Sequence, residues 1–405
     1  MSELYSFASE EARRNPYPIY DRLREHDPVH FDEEQQAWLV TRHSDALAVL
    51  RDDETYSARA DMTFMNALPP ALREEADPLR EHFESWIVFS DPPGHTRLRN
   101  LVKRYLAPAS VSRVQAKLAN KAQLLLDDAE RAGRFDGLHG YAMPLARLAL
   151  CELIGVDEQE LSRANTWSEQ LFEFINVELS EEQTRKSLAS LMELAEFVRS
   201  VEARGGERED TLAGALTRAR SDGLVTEAEM VATFAQNITG SLGPAPHIIS
   251  NGLLALLQSP DQLDRLRRRP ELARSAVQES LRYDTPFLII PRTARVAAKL
   301  GDVRIAAGDR VGLMVGAANH DPAVFEAPAR FDVGRRPNPH LSFGVGMHAC
   351  LGMHLTQILA EIAIGAVVSR FPHMGLASEV ERPAYFGLHL VGTLPITVKA
   401  ERVEE

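Results

Sequence analysis

The residues best suited to chemistry lie in one short run, Phe343-Gly344-Val345-Gly346-Met347-His348-Ala349-Cys350-Leu351-Gly352. Glycines flank its single thiol on both sides, so the backbone can approach a flat ligand and leave amides free to face the sulfur. An apolar helix is predicted over Met353 to Val368, and a cysteine just ahead of a helix N-terminus is biased toward the thiolate, the form that binds a metal. A lone cysteine is otherwise a small buried hydrophobe; the flanking glycines argue against that fate here. Cys151, the only other cysteine, sits in Ala149-Leu150-Cys151-Glu152-Leu153-Ile154 and reads as a packing residue.

Four further segments carry charge in spaced positions. Glu279-Ser280-Leu281-Arg282 places an acid and a base on one helix face, and Phe331-Asp332-Val333-Gly334-Arg335 supplies a second arginine downstream. Asp91-Pro92-Pro93-Gly94-His95-Thr96-Arg97-Leu98-Arg99 reads as a helix start with His95 and Arg99 four apart on one face. Pro291-Arg292-Thr293-Ala294 adds a cation before the thiol run. Taken singly, each is an ordinary surface charge.

Together and in this order these segments resemble the cytochrome P450 family, over nearly the whole chain. The resemblance implies a mainly α fold with a smaller β portion, a single domain over 1–405, and one haem b with Cys350 as axial thiolate. It implies that Phe343, Gly344 and Gly352 shape the ligand loop, and that His95, Arg99, Arg292 and His348 hold the propionates, whose buried charge needs cationic partners. Glu279, Arg282 and Arg335 become a buried structural network that does no chemistry.

The helix expected to cross the distal face, Glu227 to Gln258, departs from the family. Its close, Asn251-Gly252-Leu253-Leu254-Ala255-Leu256-Leu257, matches, but Gly240-Ser241-Leu242-Gly243-Pro244 stands where the family reads Ala-Gly-x-Glu/Asp-Thr. Gly243 and Pro244 thus replace an acid and an alcohol that relay protons, and neither side chain can carry one. Thr239, Ser241 and His247 are the nearest polar substitutes, each also explained as an ordinary helix residue. The helix after the cysteine reads Leu355-Thr356-Gln357 where the family often has Leu-Ala-Arg, so the docking surface for a redox partner is either weaker or built on other cations, with Arg97, Lys103 and Arg104 as candidates that ordinary solvation explains equally well. The segments Asp61 to Val88, Phe287-Leu288-Ile289-Ile290 and Tyr385-Phe386-Gly387-Leu388-His389-Leu390 are marked by the resemblance as pocket-lining, although apolar runs of this kind also serve as plain core.

The surrounding sequence is consistent with that reading. Two cysteines in 405 residues exclude a disulfide framework, and 44% hydrophobic content supplies a large core. A formal charge of -13 argues against a general nucleic-acid binder. No apolar run is long enough to cross a membrane, and the start, Met1-Ser2-Glu3-Leu4-Tyr5-Ser6, lacks a signal pattern, so a cytoplasmic protein is expected. Strands are expected at Val29 to Phe31, Ala37 to Val40, Ala294 to Ala298, Arg304 to Ile305, Val311 to Val315 and Leu388 to Val398. A helical stretch is expected from about Pro92 to Ser259, broken at Gly205-Gly206 and Arg220 to Gly223. By resemblance the activity is oxidation of a small organic or peptide substrate, in secondary metabolism, with dioxygen and electrons from NAD(P)H through a ferredoxin reductase and ferredoxin. Two other readings stay open: radical coupling of aromatic side chains without oxygen insertion, and a catalytically idle haem-binding protein.

Overall fold

Apolar positions at three- and four-residue spacing dominate the chain, and helices dominate its structure. The computed structural model describes residues 6–59, 62–176, 180–204 and 210–398; the expected break at Gly205-Gly206, the start of the pocket segment at Asp61, and Met1 to Tyr5 lie outside them. The chain divides into two units, the first comprising residues up to Ser57, Gln115–Leu145 and the chain from Pro244, the second Ala58–Val114 and Ala146–Gly243.

Among the described residues the first unit holds all the strands: β1 (Val29–Asp32), β2 (Ala37–Val40), β3 (Tyr56–Ser57), β4 (Arg134–Asp136), β5 (Ile289–Ala294), β6 (Ala298–Leu300), β7 (Val303–Ile305), β8 (Arg310–Met314), β9 (Met374–Leu376) and β10 (Pro395–Val398). They form sheets of order β1-β2-β8-β5-β3, β4-β10-β9 and β6-β7. Two expectations shift. Residues Arg295 to Ala297, between β5 and β6, turn instead of running on as strand, because the Ala294 amide already pairs with Asp309 and the Arg295 amide with Thr55. The C-terminal strand begins only at Pro395; Leu388 makes an isolated bridge to Phe287. Inward residues of β1, β2, β5 and β8, among them Val29, Val40, Val311 and Leu313, build a core against Val49, Leu50 and Leu341. A second cluster gathers Phe7, Tyr20, Leu23, Leu39, Leu288 and Met314. The helices Ala273–Tyr283 and Met353–Arg370 lie in this unit, and the second follows the thiol run at once, as expected.

The second unit is helical and includes Asp77–Glu84, Gly94–Lys103, Ala164–Asn176, Glu181–Ala203, Leu212–Ser221 and Glu227–Leu242. Phe83 stacks on Phe174 with ring centroids 5.6 Å apart, and Phe234 meets Phe197 edge-on. Thr226 and Glu229 close a reciprocal capping box that sets where Glu227–Leu242 begins.

The expected single helix from Glu227 to Gln258 is two. One ends at Leu242, and another starts at Pro244. Prolines 244 and 246 have no amide hydrogen, so the carbonyls of Gly240 and Leu242 lose their in-register donors and the ladder stops. Pro244 then occupies the first position of a new helix, where a missing donor costs nothing.

Candidate functional site

The thiol run is shaped by its glycines. Gly344 and Gly346 have φ of +62° and +78°, in the left-handed region. A side chain on Gly346 would also stand 2.8 Å from the Leu50 carbonyl. The Cys350 amide donates to the Phe343 carbonyl at 2.7 Å, closing the loop, and a short 3-10 turn over Gly346–His348 leads into the cysteine. Cys350 is exposed, while Cys151 is buried with its thiol pushed up to about 12 by desolvation. Gly352 caps the helix Met353–Arg370, and a methyl on it would reach 3.9 Å from the Cys350 sulfur. The loop therefore presents one sulfur on a face kept clear of side chains at its flanks.

Behind the loop stands a charge network with a fully buried centre, Glu279 and Arg282. Arg282 gives two 2.8 Å bonds to the Glu279 carboxylate through Nε and Nη2; Nη1 donates to the carbonyls of Asn319 and Pro328, and Nη2 also to that of Arg330. Arg335 adds two 3.0 Å bonds, and the Asp332 amide and the Asn338 side chain also donate to Glu279. Glu279 and Arg282 are 0% exposed, so the pair is a buried one and not a solvated helix face. Asn319 carries this order into the thiol run: its side chain accepts from the Leu341 amide and donates to Ser342 Oγ, which donates to the Leu281 carbonyl. His340 accepts from the Ser342 amide and faces Gln278 through Nε2, and burial lowers it to about 4. Sequence reasoning missed Asn319 and Gln278, which carry no motif, and gave no role to His340, three residues ahead of Phe343.

The expected propionate partners divide between the units. Arg292 and His348 lie with Cys350 in the first unit; Arg292 is buried on β5, its Nη1 donating to the Pro291 carbonyl. His95 and Arg99 lie in the second, on Gly94–Lys103, with His95 buried and Arg99 partly so. Of the docking candidates, Arg97 is committed to Glu229 and the Leu224 carbonyl, so it is a structural ion pair and not an open cation.

Around the helix break the polar candidates differ. Gly243 donates to the Thr239 carbonyl at 2.9 Å, and a Cβ on Gly243 would lie 2.8 Å from that same oxygen. The position has no room for an acid. Thr239 is buried, and its hydroxyl has no partner among the described residues. Ser241 is partly buried in the last turn before the break. His247, in the first turn after it, has a buried Nδ1 with no partner among the described residues, and desolvation, aided by His139 and Arg382, lowers it to about 4 against the pull of Asp284. Of the segments expected to line a pocket, Leu288 is buried in the core around Phe7 and Tyr20, and Phe386 packs against it, partly buried.

The family model described as Cytochrome P450 matches residues 182–397. The chain is 31% identical over 396 residues to the biotin biosynthesis cytochrome P450 of Bacillus subtilis (strain 168), covering 97% of this chain and 98% of that protein. It is 32% identical over 372 residues to 6-deoxyerythronolide B hydroxylase of Saccharopolyspora erythraea, covering 90% and 91%. A crystal structure of P450BioI in complex with acyl carrier protein ligated to hexadec-9Z-enoic acid superposes with a TM-score of 0.89 at 31% identity, covering 97% of this chain and all of that one. The chain belongs to the cytochrome P450 family. It is a haem-dependent oxidoreductase of the monooxygenase class.

The donor set suits that cofactor. Among the described residues no group of three or more His, Cys, Asp or Glu side chains converges to hold a bare ion. A single cysteine sulfur in a glycine-lined loop suits a metal that brings its other ligands with it, as iron does in a porphyrin. Among the described residues no helix is long and apolar enough to cross a membrane.

Proposed function

We propose that this chain is a biosynthetic monooxygenase in which Cys350 is the axial thiolate of haem b, and His95, Arg99, Arg292 and His348 hold the propionates. The exposed thiol, in a glycine turn closed by the Cys350 to Phe343 bond, is the observation that carries this reading. When bound, the haem supplies oxygen activation: two electrons and two protons reduce dioxygen so that one atom enters the substrate and the other leaves as water. The chain's residues do the rest. The Glu279, Arg282 and Arg335 network fixes the loop that presents the sulfur, and His95, Arg99, Arg292 and His348 satisfy the carboxylates. NAD(P)H, through a ferredoxin reductase and a ferredoxin, is the electron source. The substrate is a small organic intermediate of a biosynthetic pathway; a carrier-protein-bound acyl group, the form seen with P450BioI, is the first class to assay.

A second reading, oxidative coupling of aromatic groups, is favoured by one observation: Gly243 and Pro244 carry no proton and Gly243 has no space to be given one. Product formation under oxygen-18 with a surrogate ferredoxin pair separates the two. Label in the product supports oxygen insertion; a product lacking two hydrogens and carrying no label supports coupling.

A further inference from the structure

On the helix that follows the break, His247 and Asn251 stand four residues apart and so share a face. Asn251 is 0% exposed. Its Nδ2 donates to two carbonyls, Asp284 at 3.1 Å and His389 at 3.0 Å, which fixes its amide orientation, because only the nitrogen can donate. Its Oδ1 has no partner among the described residues. Asp284 is the hub of this region. Its carboxylate takes Arg382 Nη2 at 2.5 Å and His389 Nδ1 at 2.5 Å, and His389 Nε2 faces the Arg14 carbonyl at 3.0 Å. Arg382 Nη1 is buried and again has no partner among the described residues. His247 Nδ1 is the third such atom, and it feels the charges of Arg382, Asp284 and His139.

Three buried polar atoms of this region therefore remain: a donor on Arg382, an acceptor on Asn251, and a ring nitrogen on His247. Native interiors satisfy such atoms, commonly with water that makes about three hydrogen bonds. A water molecule matches the set, accepting from Arg382 Nη1 and donating to Asn251 Oδ1 and to His247 Nδ1. We propose that Arg382, Asn251 and His247 hold one ordered internal water, and that this water and His247 supply the protons that Gly243 and Pro244 cannot. Resting on the monooxygenase reading, the step balances. His247 releases the hydrogen of one ring nitrogen toward the reaction and takes another from the water at Nδ1, while solvent restores the water's proton. The lowered basicity of His247 keeps the ring neutral near pH 7, so Nδ1 can accept.

The test is a crystal structure of the haem-loaded enzyme, together with product formed per NADPH and the solvent isotope effect, for wild type, His247→Gln, His247→Ala and Asn251→Leu. Expected is a water bonded to all three atoms in the wild type and absent in Asn251→Leu. His247→Gln should keep the fold and the haem spectrum while product per NADPH falls by about tenfold or more, because an amide can hold a water but not relay its proton. No water at that position in a well-resolved wild-type map overturns the site. A water present, with His247→Gln fully coupled and its isotope effect unchanged, overturns the proton role. If the product carries no oxygen label, the monooxygenase reading fails, and the crystal structure still decides the water site.

Discussion

The thiol loop and the helix break both lie on glycines, but the glycines do opposite things. In the loop, Gly344 and Gly346 adopt positive φ, and the groups behind them are tied down: Leu341, Ser342 and Cys350 all have named partners. At the break, Gly243 lies at negative φ, the ladder is interrupted by two prolines, and buried polar atoms on Thr239 and His247 have no partner among the described residues. A site that must hold one geometry is over-determined by hydrogen bonds. A site that must pass something through leaves polar atoms available.

The largest effect should come from the loop. Cys350→Ala should abolish the red-shifted carbon monoxide band of a thiolate-ligated ferrous haem while leaving the fold intact, because the bond that closes the loop comes from the Cys350 amide and survives the substitution. Carbon monoxide difference spectra check this. Arg282→Ala comes next. It leaves Glu279 buried with Arg335 as its remaining ion partner among the described residues, and should cost roughly 3–5 kcal/mol, seen as a lower denaturant midpoint and poor haem loading. A stable variant would mean that the loop is not over-determined.

The sequence made the first region legible and the second only half so. Glu279, Arg282, Arg335 and Cys350 stand inside runs that resemble a known family's, and that resemblance, not their spacing alone, implied the network. Gly243 and Pro244 were legible as departures, but a helix pattern of apolar spacing continues across them, and periodicity alone predicts one helix where the missing amides make two. The Asp284, His389 and Arg382 cluster was invisible, since Asp284 lies about a hundred residues from the other two and only the fold brings them together. Leu288 and Phe386 show the same gap: an apolar run does not say which of its alternate faces meets the core.

Both regions contain histidines held neutral by burial, His340 behind the loop and His247 after the break, each near 4, with His320 near 4 and His82 near 3. Their folded values lie below the ordinary one of about 6.5, so the unfolded chain binds more protons on acidification. Stability should be full above about pH 6.5 and fall toward pH 4, by roughly 1 kcal/mol per histidine per pH unit. Asp284, held near 2, works at lower pH: its contribution persists above about pH 4 and is lost below. Thermal melts from pH 8 to pH 4 check the sign, and a flat profile would show that these rings are not held neutral.

Gly243→Asp tests whether the break can be converted to the family pattern. Its Cβ would meet the Thr239 carbonyl at 2.8 Å, a backbone atom that cannot swing away, so a cost of about 1–3 kcal/mol is expected, with no gain in product per NADPH. Improved coupling at unchanged stability would mean that the acid is tolerated and missing only by chance.

The smallest effect distinguishes two threonines on one helix. Thr233 donates its hydroxyl to the Glu229 carbonyl at 2.7 Å, whereas Thr239, 3% exposed, has no partner for its own among the described residues. Replacing each with valine removes the hydroxyl and keeps the branched shape. Thr233→Val loses a hydrogen bond and should cost about 0.5–1.5 kcal/mol. Thr239→Val removes a buried polar atom that bonds nothing among the described residues, so it should be neutral or stabilising by up to about 1 kcal/mol. Urea melts of the two variants side by side read the difference. If Thr239→Val costs as much as Thr233→Val, the Thr239 hydroxyl is bonded in solution, and the last turn before the break is as fully tied as the thiol loop.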